Sequence, residues 1–151
     1  GRANPNQLVI SPQTAVMLAT LRDELVDEHR HAHGRTDDLL IGLQLTHSGR
    51  WCRPLGTPAP RTAQRHPILD ARVGAGADSV LDDDELDQLV DRYVDAAVLA
   101  ADAGFDFVDV KHCHGYPLHE LLSAVDRPGD FGGSFEGRTR FFRDVVAGIS
   151  R

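Results

Sequence analysis

Phe105-Asp106-Phe107-Val108-Asp109-Val110-Lys111-His112-Cys113-His114-Gly115-Tyr116 is the stretch whose reading decides the fold. Phe105, Phe107, Val108 and Val110 are bulky or β-branched, as a strand requires. Gly104 before them reads as the C-cap of a preceding helix. After Val110 the composition changes. Lys111, His112, Cys113, His114 and Tyr116 follow at once, and Gly115 lets the chain turn. A buried strand that runs into such a cluster is the pattern of a site at the C-terminal end of a parallel sheet or barrel.

Working outward, strands and helices alternate. Upstream, Leu39-Leu40-Ile41-Gly42-Leu43-Gln44-Leu45 is a near-continuous apolar run, expected to be a strand covered on both faces. Between the two strands, Asp82 and Glu85 form a capping box, and the acidic run Asp82-Asp83-Asp84-Glu85 suits the positive end of a helix. Leu86, Leu89, Val90, Tyr93, Ala96, Ala97 and Ala100 then line one helical face. Such alternation implies parallel strands joined by right-handed crossovers.

Nearer the start, Leu8-Val9-Ile10 reads as the end of a third strand. Ser11-Pro12 reads as an N-cap with proline at the first helical position. Ala15, Leu18, Leu21, Leu25 and Val26 recur at helical spacing, and the helix ends near His33-Gly34. His29, His31 and His33 cannot converge on a metal, because helix positions two apart point in different directions. Residues 51–80 carry four prolines and read as a long irregular segment in which no residue stands out. Downstream, Leu118, Leu121 and Leu122 suggest a short helix. Ser134 caps a final helix whose Phe141, Phe142, Val145, Val146 and Ile149 are expected to pack inward.

Three motifs in order carry a resemblance. They are Gln44-Leu45-x-His47-x-Gly49-Arg50, then Ala103-Gly104-Phe105-Asp106 through His114-Gly115-Tyr116-x-Leu118, then Arg127-x-x-Asp130-Phe131-Gly132-Gly133-Ser134-x-Glu136-x-Arg138-x-Arg140-Phe141. Together they are similar to the Old Yellow Enzyme family of flavin-dependent oxidoreductases. The resemblance implies an α/β fold, a TIM (β/α)8 barrel of which residues 1–151 are an incomplete part with about three parallel strands. It implies FMN as cofactor, NADH or NADPH as reductant, and hydride transfer to an activated alkene or related small-molecule substrate. By the same mapping Gln44 contacts the flavin ring, with His47 and Arg50 shaping the cofactor side. His114 and Lys111 take the substrate-binding positions, and Tyr116 takes that of the proton donor. Lys111 stands where the family usually has His, and Gly137 where it typically has Asn. On its own, such a part of a barrel is expected to be inactive.

Rival readings stay open. A lysine at a strand's C-terminal end is also where Schiff-base lyases of the class I aldolase type keep their nucleophile. His112, Cys113 and His114 invite a zinc reading, against which stands the absence of spaced ligand pairs, so no metal is expected. A barrel part without catalysis is the third.

Composition narrows the classes. The 151 residues suffice for one domain, and a net charge of −7 argues against nucleic acid or an anionic membrane surface. No run is long enough to span a membrane. Cys52 and Cys113 make no disulfide framework, so a cytoplasmic protein, with a homo-oligomer possible in the full-length form, is the expectation.

Overall fold

The computed structural model describes residues 1–150. The elements in order are α1 (Ala15–His33), β1 (Gly42–Leu45), a 3-10 turn (Gly49–Trp51), α2 (Pro67–Val73), a second 3-10 turn (Ala77–Ser79), α3 (Asp83–Asp102), β2 (Phe107–Val110), α4 (Pro117–Leu122) and α5 (Phe135–Ile149). The described residues group into two compact units, one of residues 8–45 and 95–110, the other of residues 1–7, 46–94 and 111–150.

The first unit holds the sheet. β1 and β2 pair in parallel, with Gly42, Leu43, Gln44 and Leu45 opposite Phe107, Val108, Asp109 and Val110. Asp106 pins the start of the pair. Its backbone N–H donates to the Ile41 carbonyl at 2.9 Å, and its carboxylate accepts from the Ile41 N–H at 2.8 Å. The strands are not covered on both faces, as the sequence suggested. Leu45 is buried, whereas Gln44, Asp109 and Phe107 are exposed, Phe107 to 52%. Successive side chains of a strand alternate between faces, so Gln44 shares its face with Asp109 and lies opposite Leu45. Gly42 matters here, because the Phe107 ring lies over its α-carbon, where a side chain would overlap it.

Two further expectations fail in this unit. Leu8-Val9-Ile10 forms no strand, and Leu8 and Val9 are exposed, so the sheet has two strands and not three. Helix α1 begins at Ala15 and not at Pro12, because the Ser11 carbonyl accepts from both Thr14 and Ala15 N–H groups and closes a turn first. Of its apolar stripe only Leu18 is buried, while Leu21 and Leu25 are 41% and 50% exposed. A unit of two strands offers such a helix little apolar surface to bury against. Gly34 closes α1 in the left-handed conformation, as the sequence indicated.

The second unit holds the apolar core. Leu86, Leu89, Tyr93, Leu118, Leu121, Phe131, Phe141 and Val145 are buried. Tyr93 meets Phe141 edge-on at 5.7 Å between centroids, and the Arg140 guanidinium covers Phe131. The capping box forms as read: Glu85 N–H donates to Asp82 Oδ1 at 2.8 Å and Asp82 N–H to Glu85 Oε2 at 3.0 Å. Ser134 Oγ accepts from Gly137 N–H at 3.1 Å and caps α5. On α5, Phe141 and Val145 face inward, but Phe142 and Val146 are exposed, because the buried stripe is narrower than the run of apolar residues.

The third motif proves to be a joint. Arg127 donates to Asp83 at 2.6 Å and to the Ala63 carbonyl at 3.0 Å, Asp130 N–H donates to Asp83, and Arg140 donates to Asp130. Residues 51–80 are less irregular than expected, since they contain α2 and a parallel bridge between Thr62 and Val80. Among the described residues no helix is long and apolar enough to cross a membrane.

Candidate functional site

The turn that follows β2 positions the candidate catalytic side chains. Tyr116 N–H donates to the Cys113 carbonyl at 3.3 Å across His114 and Gly115. Both central residues have positive φ, +63° at His114 and +67° at Gly115, as in a type I′ turn. Glycine adopts this conformation freely, but histidine does so at a cost that surrounding contacts must hold. His119 supplies one such contact, its Nδ1 accepting from Gly115 N–H at 2.9 Å.

This turn brings Lys111, His114 and Tyr116 together. Lys111 Nζ lies 4.6 Å from the centroid of the Tyr116 ring, a cation–π contact. The His114 and Tyr116 rings meet edge-on with centroids 6.2 Å apart. Pro117 then opens α4 directly behind Tyr116. His112 points elsewhere, its ring packed edge-on against Phe142 at 4.6 Å. Cys113 Sγ lies 3.4 Å from His114 Nδ1. Among the described residues no three His, Cys, Asp or Glu side chains are grouped as a metal site requires.

His47 and Arg50 sit in the same unit but serve other contacts. His47 Nδ1 accepts from Gly49 N–H at 3.1 Å. Desolvation by burial, aided by the positive charges of Arg61 and Arg92, pushes its pKa down to about 3. Its ring is therefore neutral at pH 7, with the proton on Nε2. Arg50 is 1% exposed and each of its nitrogens donates to a protein acceptor: Nε to Glu120 at 2.7 Å, Nη1 to Asp70, and Nη2 to the Gln64 carbonyl at 2.9 Å. Burial pushes the Asp70 carboxyl up, but hydrogen bonds from Arg65 and Arg50 outweigh it and hold the pKa below its ordinary value. Glu120 also accepts from Ala63 N–H at 2.8 Å. A shallow recess is lined by Arg50, Gln64, His66, Gly115, His119 and Glu120, among others. The sequence reading missed Asp70, Gln64 and Glu120, which lie far from Arg50 along the chain and belong to no local pattern.

Gln44 belongs to the sheet-bearing unit. Its Nε2 donates to Asp109 Oδ2 at 2.6 Å, which fixes the amide on the exposed face near the end of β1. An oriented amide at a strand end offers both a donor and an acceptor. That donor set fits the edge of a flavin pyrimidine ring, where N–H and C=O groups alternate.

Comparison with known proteins places the chain. Residues 22–151 match the NADH:flavin oxidoreductase / NADH oxidase family. The chain is 44% identical over 69 residues to an NADPH dehydrogenase of Bacillus pumilus (strain SAFR-032), covering 44% of this chain and 20% of that protein. It is 32% identical, over an alignment of 172 positions, to a dimethylamine dehydrogenase of Hyphomicrobium sp. (strain x), covering all of this chain and 22% of that one. In fold it resembles histamine dehydrogenase from Rhizobium sp. 4-9, with a TM-score of 0.69 at 24% identity, over 94% of this chain and 21% of that one. The matched parts cover 20%, 22% and 21% of these three proteins, so each is much longer than this chain. With the match running from residue 22 to residue 151, the chain belongs to the NADH:flavin oxidoreductase / NADH oxidase family, that of Old Yellow Enzyme.

Proposed function

We propose that the whole protein is an FMN-dependent oxidoreductase of the ene-reductase type, taking reducing equivalents from NADH or NADPH, and that its two parallel strands belong to a (β/α)8 barrel. The observation that carries this reading is the convergence of Lys111, His114 and Tyr116 on one turn at the end of β2, in a chain of this family. When bound, FMN supplies hydride transfer between the nicotinamide and the substrate. The chain's own residues do the rest. Gln44 holds the flavin edge through its amide. His114, with Lys111, donates to the substrate oxygen and stabilises the negative charge that develops there. Tyr116 delivers a proton from its hydroxyl to the carbon next to the carbonyl.

Arg50 takes a different part in this reading. Because its nitrogens are held by Glu120, Asp70 and the Gln64 carbonyl, it supports the loop that follows β1. Anaerobic reduction with NADPH followed by mixing with an enone tests the proposal. Rapid reoxidation by the enone, with saturation of its double bond, is expected. A protein that is reduced but leaves the enone unchanged would retire the ene-reductase assignment.

A further inference from the structure

We propose that Lys111 recognises an anionic group, so that the preferred substrate carries a carboxylate. This inference rests on the oxidoreductase reading above and narrows its substrate class.

Lys111 is half-buried, and its ammonium rests on the face of Tyr116. Several carboxylates near it in sequence are engaged elsewhere, Asp106 among them, which accepts from Ile41 N–H at 2.8 Å. Asp109 accepts from Gln44 at 2.6 Å. Glu120 accepts from Arg50 and from Ala63 N–H. Glu136 sits in the first turn of α5, held by its own backbone N–H and by Ser134. A π face offsets part of an ammonium's charge but accepts from one side only. The remaining N–H groups are suited to an anion, since lysine acts as a compact point charge for such ligands.

The neighbours agree with this. His114 is exposed, and the groups that meet at the turn are an ammonium, an imidazole and a phenol. A neutral carbonyl needs only neutral donors. A positive charge beside them is complementary to a full negative charge, and a carboxylate on the same small molecule supplies it.

Calorimetric titration of the whole protein with 4-oxopent-2-enoate and with its methyl ester tests the proposal. The two ligands share ketone and alkene and differ in charge and by one methyl group. The acid is expected to bind at least about tenfold more tightly, a difference of about 1.4 kcal/mol. Lys111→Met should abolish that preference by costing the acid more affinity than the ester, and Lys111→Arg should retain it. Equal affinity for acid and ester, or an equal loss for both in Lys111→Met, overturns the proposal; the latter result would mark an imine at Lys111 or a packing role. The visible spectrum of the same samples reports flavin. A flavin-free protein overturns the oxidoreductase reading, whereas a flavin-loaded protein indifferent to charge overturns only the assignment to Lys111. Failure of the parent protein to bind the acid overturns the proposal as well.

Discussion

Lys111 Nζ stands over the ring of Tyr116, 4.6 Å from its centroid, and so ties the residue that follows β2 to the last residue of the turn. Tyr116→Phe keeps that aromatic face and removes only the hydroxyl. Flavin reduction by NADPH is expected to stay within about twofold of the parent. Reoxidation by an enone is expected to slow by roughly 100-fold or more, the usual worth of a positioned general acid. Stopped-flow absorbance of the two half-reactions checks this, and equal slowing of both would assign Tyr116 a structural role instead.

The Arg50–Asp70–Glu120 cluster makes a prediction about stability. Its side chains are almost wholly buried. Asp70→Asn or Glu120→Gln leaves the guanidinium partly uncompensated away from water. Breaking one partner of such a buried pair costs about 3–5 kcal/mol. Urea unfolding of each variant measures it, and a loss below about 1 kcal/mol would show that the cluster relaxes or admits water.

His47 predicts a pH dependence. Its pKa is lowered from 6.5 to about 3 in the folded state. Between those values the unfolded chain binds a proton that the folded chain refuses. The stabilising contribution is therefore fully present above pH 6.5 and is lost as pH falls toward 3, by up to about 1.4 kcal/mol per pH unit. Asp70, held below its ordinary 3.8, adds its own loss only in more acidic solution. Unfolding midpoints between pH 4 and pH 7 should shift less for His47→Gln than for the parent; equal shifts would place the proton elsewhere.

Gly137 predicts intolerance of a side chain. A β-carbon there would overlap the Gly132 carbonyl oxygen and crowd that of Asp130, both backbone atoms. Gly137→Asn, which installs the residue typical of the family, should therefore destabilise this chain by roughly 1–3 kcal/mol, the usual cost of overpacking. Thermal unfolding measures it, and an unchanged midpoint would mean that the loop at 130–133 moves aside at little cost.

What was legible in the sequence follows the range of the interactions. The Asp82–Glu85 box, the Ser134 cap and the Gly34 terminator each span a few residues, and all three form as their side chains indicate. The strand–helix–strand order through β1, α3 and β2 was legible for the same reason. The strands' exposure was not, because an apolar run states what a strand could bury and not what the structure provides to cover it. Phe107 and Leu40 lie exposed for that reason.

At the candidate site, the turn at His114–Gly115 could be anticipated from the glycine, but not the left-handed histidine beside it. The partners of Arg50 were out of reach. Asp70 is 20 residues away and Glu120 is 70, and neither separation is a helical or strand period. A motif that names Arg50 is silent about which carboxylates neutralise it. Tertiary packing alone brings them together.

The visible absorption spectrum of the whole protein, purified without added cofactor and recorded before and after anaerobic NADH or NADPH, tests the central claim most directly. A flavin spectrum that bleaches on reduction is the expected result. A colourless protein that also fails to take up added FMN would contradict the account.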